Sequence, residues 1–135
     1  MPETAGPGAR HLAGSHRPEA VLDAAAILVF VTIGLISHRH GFAKGYARDL
    51  PPFLGCWFAV ALLLRLYRQG GRGRLVATWL VAVPLAVLVR ALAFGRSLNG
   101  SEAAFLVVSV VTIGVLVGAG RLALRAAGAR DGRSV

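Results

Sequence analysis

Ionisable side chains inside apolar runs are the residues of this chain with the clearest capacity for chemistry, because a charge held in lipid must be paired, hydrated or used. Asp23 and Arg90 are of that kind. Asp23 stands three residues past Ala20, where the first apolar stretch opens. That is about 5 Å along a helical axis, within reach of the headgroup region. At helical spacing Asp23 shares a stripe with Ile27, Phe30, Gly34 and Ser37, which offers a carboxylate, a glycine and a hydroxyl to the neighbouring helices. Arg65 and Arg121, near the ends of two other stretches, are its candidate partners. The two readings are an ion pair that locks helix ends and a carboxylate that relays protons or ions. Arg90 lies between Val89 and Ala91, five residues before Gly95. It either snorkels to headgroups or turns inward toward Asp49, Glu102, His38 or His40, where it would hold an anion or polar substrate.

The remaining polar and small residues carry less. His38 and His40 alternate where the first stretch ends, a spacing that suits a metal on extended chain, but no thiol or carboxylate cluster completes a ligand set. A pH-sensitive contact is their other reading. Gly114 and Gly118 form a G-x-x-x-G pair, which permits close helix approach within the chain or between two copies. Val107, Val110, Arg121 and Arg125 lie near the same face. Pro84 removes a backbone hydrogen bond and bends its helix. Cys56 is the single cysteine and cannot form an intramolecular disulfide. No paired carboxylates, nucleophile with base, or metal cluster appears, so no catalytic residue and no cofactor is expected.

The elements that must position these residues are four apolar stretches at 20–37, 50–67, 75–95 and 103–124. Each is close to the roughly 20 residues a helix needs to cross a bilayer. Within 27–36 the one polar side chain is Thr32, and within 105–120 only Ser109 and Thr112 are polar, which leaves no solvated face for a soluble bundle. The expectation is therefore an all-α, integral membrane bundle of four transmembrane helices. Residues 1–19 read as a disordered cytoplasmic tail, 20–124 as the transmembrane domain, and 125–135 as a short basic cytoplasmic tail. Pro51 and Pro52 suit a helix start, Gln69 to Gly73 an inner turn, and Asn99-Gly100 an outer one. Ser101 is placed to cap the fourth helix, with Glu102 in its first turn.

The formal charge is +9, from 15 basic and 6 acidic residues. The basic residues gather in loops, tails and helix ends without interleaved aromatics, so anionic headgroups explain them and nucleic acid is not an expected partner. With both termini cytoplasmic, ten lysines and arginines fall inside and four outside, Arg90 lying within the third stretch. That asymmetry orients a multi-pass protein of the plasma (inner) membrane.

The positions named above, together with others along the chain, resemble a family of small four-helix prokaryotic membrane proteins, the domain of unknown function 3054 family. The likeness rests on Asp23, Gly34, His38, Pro52-Phe53, Trp57, Trp79, Arg90, residues 105–108 and Arg121. It implies the four-helix membrane fold and no established activity. The leading functional expectation is a non-catalytic protein of membrane organisation or a subunit of a membrane assembly, with a homodimer or an unknown membrane protein as partner. One alternative is a small dimeric proton- or ion-coupled transporter, similar in size to the small multidrug resistance transporters. A second is a membrane enzyme acting on a lipid headgroup or other anionic substrate.

Overall fold

The computed structural model describes residues 17–38, 41–95 and 99–131. The protein is all-helical, with no strand among the described residues. The described residues form four long helices, α1 (Arg17–His38), α2 (Phe42–Leu63), α4 (Arg72–Ala93) and α5 (Gly100–Asp131), with the four-residue α3 (Leu66–Gln69) between α2 and α4. Three of the long helices, α1, α4 and α5, are long and apolar enough to cross a membrane. The fourth, α2, carries Lys44, Arg48 and Asp49 in its first third, which keeps it outside that group.

Packing partners fix the order around the bundle. Helix α1 packs on α2 and α5, and α4 packs on the same two, so the sequence around the ring is α1, α2, α4, α5. Asp23 near the start of α1 meets Arg121 near the end of α5, while Arg90 near the end of α4 meets Asp49 in α2 and Glu102 at the start of α5. Each of the four long helices therefore runs antiparallel to both of its neighbours in the ring. The core between them is made by Ile27, Phe53, Trp57, Ala61, Ala86 and Ile113, all essentially inaccessible. Phe30, Phe53 and Phe105 meet there with ring centroids 5.2 to 6.4 Å apart, a cluster worth about 0.5–1.5 kcal/mol per pair beyond its buried area.

Several helix limits differ from those the local sequence suggests. Helix α2 does not begin at Pro51-Pro52 but at Phe42, with both prolines inside it. Two contacts hold that earlier stretch to α1. Tyr46 shares a 2.6 Å hydrogen bond with Thr32, and Gly45 lies so close to Leu35 that a Cβ there would clash. The apolar run at 50–67 is broken at Arg65, which takes a left-handed conformation (φ 53°) between α2 and α3. Asn99 rather than Ser101 supplies the side-chain cap of α5: its Oδ1 accepts from the Ser101 amide at 3.2 Å and the Ser101 hydroxyl at 2.7 Å. An amide oxygen one residue ahead of the helix reaches those groups, whereas a residue already inside the first turn cannot cap it. Helix α1 takes in Arg17, Pro18 and Glu19 from the segment expected as a tail, and α5 runs through most of 125–135. Residues 1–16 and 132–135 lie outside the described residues.

Candidate functional site

Two charged clusters are built at opposite ends of the bundle. The first centres on Asp23, fully buried on α1. Arg121 of α5 donates from Nε to Asp23 Oδ1 at 3.2 Å and from Nη2 to Oδ2 at 2.7 Å, a two-pronged pairing that fits the planar guanidinium fork. The third nitrogen, Nη1, donates to Glu19 at 3.1 Å. Tyr67 donates its hydroxyl to Asp23 Oδ2 at 2.7 Å and accepts from Trp57 Nε1 at 3.1 Å. Spacing explains why Glu19 and Asp23 act together: four residues apart on one helix, they present two carboxylates to one arginine.

The break at Arg65 is what brings Tyr67 there. A continuous helix would keep rotating past Leu63, but the left-handed residue turns the chain so that Leu66 becomes fully buried and Tyr67 folds back under the bundle. Arg65 itself is exposed and makes no ion pair among the described residues, so the pair expected between it and Asp23 is not brought together. Its place at the carboxylate is taken by a neutral phenol. Cross-helix tyrosine at this position escaped the sequence reading because an aromatic at the end of an apolar run looks like an interfacial anchor.

The second cluster centres on Arg90, only 3% exposed. Its Nε donates to Asp49 Oδ1 at 2.6 Å and its Nη1 to Glu102 Oε2 at 3.3 Å, tying α4 to α2 and α5. The guanidinium lies 4.4 Å from the centroid of the Phe105 ring, which gives the cation an apolar floor. Arg48 donates from Nε to the same Asp49 oxygen at 3.0 Å. The arrangement is the inward one: Arg90 is held by carboxylates and does not snorkel. His38 ends α1, and His40 lies outside the described residues. Among the described residues no group of three histidine, cysteine or acidic side chains stands close enough to hold a metal ion.

The small residues separate by role. Gly114 receives the Trp79 indole of α4, which would lie 2.5 Å from an added Cβ and which donates to the Val110 carbonyl at 2.9 Å. Gly118 and Gly34 have open space where a Cβ would stand. The inward stripe of α5 is Glu102, Ser109, Ile113, Val117 and Arg121, while Val107 and Arg125 are exposed. On α1 the stripe from Asp23 through Ile27 and Phe30 is buried, Gly34 borders a cavity, and Ser37 is exposed with its hydroxyl bonded to Ile33. Tyr67 and Glu19 are participants that the sequence did not single out, and Trp57 was named there as a position of the family likeness and not as a member of this cluster.

An all-helical chain with three membrane-length helices, and with its buried charges paired across helices, has the character of a multi-pass membrane protein. Residues 20–124 match the family described as Protein of unknown function (DUF3054), and the chain belongs to that family. No curated protein and no solved structure shows significant similarity to it.

Proposed function

We propose that the chain is a four-pass protein of the prokaryotic inner membrane that works without catalysis, organising the membrane or serving as a subunit of a membrane assembly. The observation that carries this reading is the use of buried charge. Asp23, Arg90, Glu102 and Arg121 are the buried ionisable residues among those described, and each is bonded to a partner on another helix. Groups that relay protons or substrates need a second, unpaired state. A carboxylate gripped twice by Arg121 and once by Tyr67 has little freedom to adopt one, which weighs against a transporter built on Asp23.

The count of four passes rests on α2 running antiparallel to α4 and packing along it. At 22 residues α2 is about 33 Å long, enough to cross the hydrocarbon core once Asp49 is neutralised by Arg90. Both termini then share a side, the cytoplasmic one by the distribution of arginine, and anionic headgroups meet Arg68, Arg72 and Arg125, all exposed. A second copy or another membrane protein is the natural partner for an assembly subunit. Alkaline extraction of membranes should leave the chain in the pellet. Purified and reconstituted into liposomes, it should neither move cations along a proton gradient nor cleave phospholipid, and turnover of either kind would overturn the non-catalytic reading.

A further inference from the structure

We infer that the cavity beside Arg90 is a binding site for a zwitterionic phospholipid headgroup carrying a primary ammonium. The cavity has a volume of about 430 Å³ and is bounded by residues of all four long helices, among them Gly34, Arg48, Asp49, Arg90, Glu102 and Phe105. Three features of its wall select the ligand. Charge comes first: among the described residues of the wall Arg48 and Arg90 balance Asp49 and Glu102, so a ligand of net charge would bring them an uncompensated ion. The second is unspent hydrogen bonding. Arg90 uses Nε and Nη1 on carboxylates, and Asp49 uses only Oδ1, so Arg90 Nη2 and Asp49 Oδ2 have no partner among the described residues. One is a donor of the kind that takes a phosphate oxygen, the other an acceptor of the kind that takes an ammonium. The third is shape. Phe105 lends the same wall an apolar side, suited to a headgroup still attached to its chains.

The proposal rests on the membrane-embedded reading, but the wall narrows the ligand further than that reading does. A phosphatidylethanolamine headgroup places its phosphate against Arg90 and Arg48 and its ammonium against Asp49. Phosphatidylcholine has no N–H to give Asp49, and phosphatidylglycerol brings a net negative charge. Both should bind less well.

Lipid titrations of the purified full chain in detergent, followed by native mass spectrometry, test this. Phosphatidylethanolamine is expected to bind at least about tenfold tighter than phosphatidylglycerol or phosphatidylcholine, roughly 1.4 kcal/mol. Gly34→Leu, which projects a side chain into the cavity from a position with open space, should abolish that preference. Gly118→Leu, equally open and at the other end of the bundle, should keep it. Asp49→Asn gives the wall a net positive charge and should shift the preference to phosphatidylglycerol, a result that no loss of folding imitates. Equal binding of the three lipids, an undiminished preference in Gly34→Leu, or full competition by soluble phosphoethanolamine at equal concentration would overturn the proposal. A chain that stays in solution without detergent would defeat the membrane reading itself, whereas a detergent-requiring chain without lipid preference defeats only this site.

Discussion

Removing Arg121 strands the Asp23 carboxylate in the core with only the Tyr67 hydroxyl for company. Loss of one partner of a buried pair costs about 3–5 kcal/mol, while replacing both by apolar groups of similar size is often near neutral. Arg121→Met should therefore melt well below the parent in detergent, and the double variant Asp23→Leu with Arg121→Met should recover much of the loss. A double variant as unstable as the single one would show that the carboxylate is needed for something besides its arginine. Tyr67→Phe removes one bond to Asp23 and one from Trp57, for about 2 kcal/mol of destabilisation in the same melt. Asp23, Arg121 and Arg90 were legible in the sequence because intramembrane charges are rare and need partners. Asp49 and Glu102 were legible as two of the groups within reach of Arg90. Tyr67 was not, since a phenol at the end of an apolar run belongs equally well at a lipid interface, and only the break at Arg65 turns it inward; Trp57 stands in α2 ahead of that break, and nothing in its spacing marks it as the donor to Tyr67.

At the scale of elements, the two glycines of the G-x-x-x-G pair should respond with opposite signs. A methyl at Gly114 would press into the Trp79 indole, so Gly114→Ala should destabilise by about 1–3 kcal/mol, and pairing it with Trp79→Phe should relieve part of the cost. Gly118 has free space and sits inside a helix, so Gly118→Ala should stabilise by up to about 1 kcal/mol through helix propensity alone. Thermal melts of the three variants decide it, and equal losses at both glycines would mean that both lie at a contact with another chain. Helix existence was readable from the apolar runs, but several limits were not, both ends of α2 among them. A proline pair is good at a helix start, yet contacts of Tyr46 and Gly45 with α1 extend α2 nine residues ahead of Pro51. Leu62, Leu63 and Leu64 continue the apolar run up to Arg65, so nothing in composition marks the break there. Arg65→Gly should accordingly be tolerated or stabilising by about 1 kcal/mol, because glycine takes the left-handed conformation without a Cβ clash, whereas Arg65→Val should destabilise.

For the whole molecule the decisive question is whether α2 crosses the bilayer. Its apolar part, from Leu50 to Leu63, is short for a membrane span, and Lys44, Arg48 and Asp49 precede it. Two structural features offset this. Arg90 and Arg48 neutralise Asp49, leaving the bundle to solvate a charge that lipid would not, and long basic side chains near a helix end reach water by snorkelling. Antiparallel packing against α4 also requires the start of α2 to share a level with the end of α4, and its end to share a level with the start of α4. If α4 crosses the membrane, the two ends of α2 face opposite compartments. Single cysteines introduced as Lys44→Cys and Arg68→Cys, in a Cys56→Ala background, report this directly with a membrane-impermeant maleimide. Lys44→Cys should label in intact cells and Arg68→Cys only after permeabilisation. Labelling of both from one side would reduce the protein to three spans with α2 lying in the interface. It would also leave Asp49 and Arg90 near a headgroup surface instead of inside a closed bundle.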